Sequence, residues 1–224
     1  MRTPQEYRRK HEGDGDFGED RRRLKARQTR TALAAAALDL ILERGLNAVT
    51  VEAVAHRADV TRRTFSRHFG GKEDAALDFT REDGAAINAA LRARPACEPP
   101  LVAYRRAVRD WLADTRTPGW HQLPRVRSLL ALVDDEPTLF AAFERIRADA
   151  QEESVRIIAE RLGTDPAEDP GPGVVVGAAA GVLTAALRQW WRGGPESAKR
   201  LPDLVEQSFD VLLGEVALAA PHAP

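Results

Sequence analysis

Residues 61–67 contain three arginines and three hydroxyl side chains around a single phenylalanine. That phenylalanine, Phe65, stands four residues before Phe69, so in a helix the two rings lie on one face and can be buried together. Burial of this face turns the remaining side chains outward: Arg62, Arg63, Thr64, Ser66 and Arg67. An arginine can bind guanine O6 and N7 in the DNA major groove, and a threonine methyl can contact thymine. The spacing therefore predicts that Arg62, Arg63 and Thr64 read base edges.

Residues on either side of this stretch have the chemistry of phosphate contacts. Thr50 and Thr61 each precede a short predicted helix, where a threonine side chain caps exposed backbone amides. A helix start of this kind attracts an anion, and so does Lys72 at the beginning of the next helix. We predict phosphate contacts from Thr50, His68 and Lys72. For His68, a histidine in the core or in solvent is an equally good interpretation.

Three helices must position these side chains. In the first, apolar residues recur at helical spacing over residues 33–41, and Gly45 ends the helix. The second covers residues 51–57 and the third covers residues 62–69, with a three-residue turn between them. Two short helices joined by such a turn form a helix-turn-helix, whose second helix enters the major groove. The sequence thus predicts a DNA-binding domain over residues 21–72.

The charge of the chain is distributed unevenly. Residues 21–72 hold twelve lysines and arginines against four acids, a net charge of +8, which leaves −9 for the rest of a chain whose total is −1. A basic module attached to an acidic body is typical of a polyanion-binding domain with a separate regulatory domain. We predict double-stranded DNA as the partner of this module. Its run from Arg21 to Arg27 could contact a minor groove or the backbone, or could be a solvated charge run.

Composition and residue types argue against other classes of protein. Hydrophobic residues at 43% and charged residues at 30% are ordinary for a globular chain. Cys97 is the single cysteine and the five histidines are scattered, so we expect no disulfide, no metal site and no cofactor. The acids at 134–136 precede a proline, which favours a helix cap over a metal site. Since no nucleophile with a base and no carboxylate pair can be assembled, we expect no enzyme activity.

The N-terminal segment and the longest apolar stretch bear on location. Residues 1–20 have almost no apolar content and are expected to form a disordered tail. They lack the apolar stretch of a signal peptide. The apolar residues 174–187 are expected to be too few to span a bilayer. We therefore expect a cytoplasmic protein with no membrane partner.

The rest of the chain predicts a second helical domain over residues 73–220. Proline and glycine breaks separate six segments with helical periodicity and no convincing strand pattern. The expected spans are 72–93, 101–115, 121–133, 137–162, 173–192 and 197–218. The expected fold class is all-α, with an N-terminal three-helix helix-turn-helix domain and a six-helix C-terminal domain for ligand binding and dimerisation.

The last two predicted helices are the most apolar. Residues 174–183 are small and apolar on every face. The final helix adds five apolar residues: Leu204, Phe209, Val211, Leu212 and Val216. Packed against their two-fold copies, these helices would form the four-helix interface of a homodimer, and burial inside one subunit is the alternative. A homodimer would hold two recognition helices about 34 Å apart, which predicts a palindromic operator.

Apolar side chains of the second domain could line a cavity for a small-molecule effector, although packing in the core is the commoner role of such residues. The candidates are Trp111, Trp120, Leu129, Phe140 and Phe143. Arg125 could bind a phosphate or carboxylate of the effector, and a solvated face is the alternative. The sequence identifies neither the effector nor the operator.

The segment from Leu33 to Leu77 resembles the N-terminal signature of the TetR family of bacterial regulators. The resemblance combines apolar positions with one glycine, two capping threonines and a lysine: Leu33, Gly45, Thr50, Val54, Thr61, Phe65, Phe69 and Lys72. It implies a homodimeric, all-helical repressor whose effector enters the C-terminal domain and shifts the two DNA-binding heads out of register. It also implies a dimer interface formed by the last two helices.

Two residues depart from the family's pattern. Asp59 stands where a turn glycine is usual, and we expect the turn to survive because aspartate tolerates the left-handed conformation. Ser66 stands where a tyrosine or phenylalanine commonly contacts phosphate, which leaves more of that contact to Arg67, His68 and Lys72. The stretch 125–194 is similar to C-terminal domains of the mycofactocin-regulator type, which implies a lipid-like or acyl-CoA-like effector.

Two other functions stay open from the sequence. One is a small-molecule-binding helical protein whose helix-turn-helix is secondary, and the other is an architectural DNA-binding protein without effector control. A regulator should prefer its operator strongly over random DNA, whereas an architectural protein should not.

Overall fold

The computed structural model describes residues 4–114, 123–193 and 200–219, with the side chains of residues 4–19 and 219 left out. Throughout these ranges the regular elements are helices, which confirms the all-α class. The chain divides into two compact units, Met1–Ala76 and Leu77–Pro224. Each unit has its own core.

The first unit contains four helices. Their bounds are α1 Pro4–Arg44, α2 Val51–Arg57, α3 Arg62–His68 and α4 Lys72–Ala76, with a short 3-10 turn at Leu46–Ala48 after α1. Helix α1 includes residues 4–20 of the segment that the sequence predicts to be a disordered tail, residues 1–20. The disorder of that segment in solution stays a prediction.

The core of the first unit forms where α1 packs against α2 and α4. Leu33, Ala37 and Ile41 of α1 are at most 1% exposed, which matches the helical periodicity of this stretch. Phe65 of α3 is 1% exposed, and its ring centroid lies 5.8 Å from that of Phe69. Burial of a phenylalanine stabilises a fold by about 1.5–3 kcal/mol. The two rings therefore fix the rotation of α3 about its own axis.

The described residues of the second unit form six helices. They are α5 Asp78–Arg92, α6 Pro100–Ala113, α7 Pro124–Leu132, α8 Pro137–Leu162, α9 Gly171–Arg192 and α10 Leu201–Ala219. One expected helix, 72–93, is divided between α4 and α5 at Leu77. The Leu77 carbonyl accepts hydrogen bonds from the backbone amide of Thr80, at 2.9 Å, and from its hydroxyl, at 2.7 Å. The hydrogen bond from the Thr80 amide reaches back three residues instead of the four of an α-helix, so the regular helix is interrupted there.

Helix α8 packs on α5 and α9 in the second unit. A Cβ added at Gly84 of α5 would come within 2.8 Å of the Ala150 Cβ on α8, so a glycine is needed for the two helices to approach this closely. Helix α8 ends at Gly163, whose φ of 67° is the left-handed conformation that glycine adopts most easily. This end coincides with the break expected at residue 163.

Helix α9 is long and unusually apolar. At 22 residues it is the described helix that could cross a bilayer by length and composition, and 33% of its most apolar window is buried inside the chain. The helix extends beyond the apolar stretch 174–187, so the whole helix is long enough to span a bilayer although the apolar stretch alone is not, and a core helix of a soluble protein has the same length and composition.

Candidate nucleic-acid interface and effector cavity

Two threonines begin the short helices of the first unit, as the sequence predicts. The Thr50 hydroxyl accepts a hydrogen bond from the Ala53 amide at 3.1 Å, and the Thr61 hydroxyl accepts one from the Thr64 amide at 3.1 Å. The turn between the helices includes Asp59 with a φ of 53°, which is the left-handed conformation expected for it. The aspartate thus replaces a glycine without loss of the turn.

The outer face of α3 is open. Arg62, Arg63, Ser66 and Arg67 are exposed, Thr64 and His68 are half-buried, and the two phenylalanines occupy the opposite side. Over the described part of the chain, neither Arg63 nor Arg67 is paired with a carboxylate, whereas Arg62 lies 3.0 Å from Glu52 in an exposed ion pair. Such a pair contributes little free energy in water, so a phosphate or a guanine can replace Glu52 at low cost.

Lys72 has a structural role that the sequence pattern does not reveal. Its ammonium group donates hydrogen bonds of 2.7 Å each to the carbonyls of Leu46 and Val49, which precede α2. An ammonium has three hydrogens, so one remains for a phosphate. Lys72 therefore holds the entry to the helix-turn-helix in place, and any contact to DNA is additional.

Arg30 was missed by sequence reasoning. Its guanidinium donates to the His68 carbonyl at 3.1 Å and lies 4.5 Å from the centroid of the Phe69 ring. These contacts attach α1 to the end of α3. The available signal was its position seven residues before Ala37, on the face of α1 that is buried further along the helix.

The second unit contains a partly open cavity, whose empty space is about 690 Å³ when the solvent at its mouth is included. Its walls come from α5, α6, α7, α8 and α9, and most of the lining is apolar. Among the lining residues, Trp111 and Phe143 are two of the predicted ligand-binding residues. Trp191 also lines the cavity, and its ring stands edge-on to the ring of Phe143 with the centroids 5.9 Å apart.

A few polar groups lie within this apolar wall. Ser154 and Tyr104 line the cavity and are 2% and 4% exposed, and the Ser154 hydroxyl lies 2.7 Å from the Asn88 side-chain oxygen. Burial raises the pKa of the Tyr104 phenol, so it stays protonated at neutral pH and able to donate. The Trp111 indole donates to Asp83 at 3.2 Å. These groups could fix the orientation of an otherwise apolar ligand.

A basic groove adjoins the cavity. Arg147 and Thr184 belong to both, and the groove adds Arg188 and Arg192 of α9. Asp134, after α7, accepts hydrogen bonds from Arg192 at 2.8 Å and from the Trp191 indole at 3.0 Å. The bond from Arg192 is the largest cause that holds the pKa of Asp134 below its ordinary value. Asp134 thus holds in place both a residue of the cavity wall, Trp191, and a residue of the groove, Arg192.

The remaining predicted ligand residues lie elsewhere. Leu129 is fully buried without lining the cavity, and Phe140 is 39% exposed on the surface of α8. Arg125 is exposed in the first turn of α7, and Trp120 lies outside the described residues. Sequence reasoning missed Tyr104, Arg147 and Trp191. Of these three, only Trp191 had a visible signal in the sequence, since it is one of two adjacent tryptophans.

Helices α9 and α10 leave apolar side chains uncovered in the single chain. Val174, Val211, Val216 and Leu218 are more than half exposed. By contrast, Phe209 is fully buried within the unit. The two helices therefore serve the core of their own chain on one side and present an apolar surface on the other.

Comparison with known proteins places these features in one family. Residues 33–76 match the family described as bacterial regulatory proteins of the tetR family, and residues 98–217 match the MftR C-terminal domain. The HTH-type transcriptional regulator TcmR of Streptomyces glaucescens is 33% identical over 197 residues, 87% of each chain.

Solved structures show the same fold. A TetR-family transcriptional regulator from Mesorhizobium loti superposes with a TM-score of 0.52 at 15% identity, over 84% of this chain and 96% of its own. The fatty acid degradation regulator FadR from Bacillus halodurans gives a TM-score of 0.50 at 15% identity, over 83% and 95% of the two chains. With its capped recognition helix and the match to TcmR, the chain belongs to the TetR family of DNA-binding transcriptional regulators.

Proposed function

We propose that this regulator is a homodimeric repressor that leaves a palindromic operator when a small molecule enters the cavity of its second unit. The observation that carries the proposal is the pairing, in one chain, of an open arginine-rich α3 with an apolar cavity in a separate unit. Residues 21–72 would bind DNA, and residues 73–220 would bind the effector and the second copy. A cytoplasmic location follows from this function.

On the DNA side, Arg62, Arg63 and Thr64 would contact base edges. Arg63 is exposed and near the beginning of α3, the end of a recognition helix that meets the bases. The remaining contacts would go to phosphates and supply affinity without sequence preference. These contacts are assigned to Thr50, Thr61, Ser66, Arg67, His68 and Lys72.

On the effector side, the cavity favours a molecule with an apolar body. Its lining offers aromatic rings together with a small set of hydrogen-bonding groups, the usual composition of a ligand site. Arg147 stands at the junction with the arginine groove, where an anionic group of the ligand could bind. A lipid-like or acyl-CoA-like effector has both parts.

Dimerisation would use the apolar surface of α9 and α10. An exposed apolar face on two neighbouring helices is typical of a self-association surface, and its two-fold copy would complete a four-helix interface. Val211→Asp should give a monomer in sedimentation experiments, while Arg109→Ala on α6 should leave the oligomeric state unchanged. A monomeric protein without any substitution would contradict this part of the proposal.

A salt-controlled shift assay tests the function as a whole. The full chain is titrated onto promoter DNA from next to its own gene and onto random duplexes of equal length. A regulator should bind the promoter about 10³-fold or more tightly than random DNA. Equal affinity for both would favour an architectural protein, and no binding at low salt would leave only the small-molecule-binding function.

Effector control is tested on the bound complex. Acyl-CoA molecules of increasing chain length are added, and release of DNA is followed by fluorescence anisotropy. Longer chains should release the DNA at lower concentration, because more apolar surface enters the cavity. Release that is independent of chain length, or no release with a fully packed cavity in a crystal, would contradict the proposed ligand class.

A further inference from the structure

The N-terminal part of α1 carries charge to which the proposed function assigns no individual contact. Five basic side chains precede Arg30 within three turns, and all are exposed: Arg21, Arg22, Arg23, Lys25 and Arg27. The segment is helical instead of extended, so each of these side chains has a fixed direction around the helix axis.

The helical register places two of them, Arg23 and Arg27, on the same side of α1 as Arg30, about 20° and 60° from it at 100° per residue. Arg23 and Ile41 are eighteen residues apart, which corresponds to five full turns at 3.6 residues per turn. Arg27 follows Arg23 by one turn. Ile41 is buried in the core of the first unit, so Arg30 and Arg23 lie at one edge of the core-facing side of α1, and Arg27 lies just outside that edge.

Arg30 shows where this side of α1 lies. Its guanidinium contacts the His68 carbonyl and the Phe69 ring at the end of α3, so this face is adjacent to the recognition helix. With a rise of 1.5 Å per residue, Arg27 and Arg23 extend about 5 and 11 Å beyond that contact along the axis of α1. They therefore extend basic charge along α1, away from the point where Arg30 contacts the end of α3.

We propose that Arg23 and Arg27 bind the DNA phosphate backbone beside the groove that α3 enters. The continuous helix holds them ready, so little conformational entropy is lost when they bind. Arg21 and Lys25 lie about 180° and 140° from Arg30 around the same helix, at 100° per residue, and do not contact DNA. The inference rests on DNA binding by α3 but assigns a surface outside the helix-turn-helix.

Two double variants of equal charge test the inference. In one, Arg23→Ala is combined with Arg27→Ala, and in the other, Arg21→Ala is combined with Lys25→Ala. The probe is a mixed-sequence 30-base-pair duplex, because phosphate contacts do not depend on sequence. The affinity of each full-length variant is measured between 50 and 200 mM salt.

The first variant should lower the slope of log K against log salt by about 0.9 for each phosphate that is no longer neutralised, or about 1.8 per DNA-binding head. Over this fourfold range of salt, that slope corresponds to about a twelvefold smaller loss of affinity per head than in the unsubstituted protein. The second variant should keep the original slope. Replacement of Arg23 and Arg27 by lysine should restore it, because an ammonium also neutralises a phosphate.

Equal slopes for the two double variants would overturn the inference and leave the basic segment as a diffuse charge. An unchanged slope for the Arg23 and Arg27 variant would overturn it as well. Either result would leave the proposed function intact as long as the unsubstituted protein prefers its promoter. Failure of that protein to bind any duplex would instead remove the proposed function.

Discussion

The two units of this chain differ in where their candidate functional groups lie, on the surface of the first unit and in the interior of the second. In the first, α3 buries two phenylalanines and directs arginines into solvent, so the site is an outer surface. In the second, several helices direct side chains inward around a cavity, so the site is part of the core. A substitution in the first site should therefore change binding without changing stability, while one in the second should change both.

The largest expected effect is a loss of stability when a buried side chain beneath the exposed face of α3 is removed. Phe65→Ala should destabilise the first unit by about 3–5 kcal/mol, because the side chain is 1% exposed and its removal leaves a cavity. Denaturant unfolding measures this change. Phe140→Ala, at a position 39% exposed, is the control and should cost far less. Similar costs for the two would mean that α3 is not fixed by its buried face.

Arg63→Ala is the corresponding test of the outer surface itself. It should relax base preference by about 1–3 kcal/mol at the contacted position, because alanine cannot form the two hydrogen bonds to guanine. Its midpoint of unfolding should stay within the error of the unsubstituted protein, as for Arg109→Ala, another exposed arginine. Affinity is compared on the operator and on operators with single base changes. A uniform decrease on all sequences would assign Arg63 to phosphate instead.

Lys72 could break this comparison, since we expect it both to bind DNA and to stabilise the first unit. Lys72→Met should destabilise the first unit by about 1–2 kcal/mol, because two carbonyls lose their hydrogen bonds. It should also weaken binding to all sequences alike. Lys25→Met is the control with an exposed ammonium, and it should leave the unfolding midpoint unchanged. If Lys72→Met changes DNA affinity alone, the two hydrogen bonds to the carbonyls contribute nothing to stability.

The smallest expected effect concerns pH and the second unit. Hydrogen bonds from Arg192 and Trp191 lower the pKa of Asp134 in the folded chain, so its stabilisation is present above the unfolded pKa and is lost as the pH falls through the folded value. Asp134→Asn should therefore lower the melting temperature at about pH 6 and have less effect at about pH 3. An equal effect at both pH values would exclude a contribution from the charge.

The first unit is predictable from the sequence because its determinants are local. Thr50 and Thr61 cap the helix that directly follows each of them, and Asp59 supplies the left-handed turn within three residues of α3. Phe65 and Phe69 reveal their buried face by spacing alone. Lys72 was assigned to phosphate only, since its carbonyl partners lie more than twenty residues earlier and no local pattern marks them.

The cavity was harder to predict because its lining is set by long-range packing. Trp111 and Phe143 were identified, yet Leu129 has the same apolar character and packs into the core outside the cavity. Tyr104 and Arg147 become cavity residues only when α5, α6, α8 and α9 pack together. The separation of α4 from α5 at Leu77 likewise follows from a backbone geometry that apolar periodicity does not encode.

Helix α9 has a consequence for how two copies would communicate. On one side Ala180, Thr184 and Trp191 form part of the cavity wall, and on the other Val174, Gly177 and Gly181 face outward. A partner packed against the outward side would lie about one helix diameter, roughly 10 Å, from a bound ligand. No further layer of protein could absorb a shift of α9. Occupancy of one copy should therefore alter ligand affinity in the other, and saturation curves should depart from a simple hyperbola.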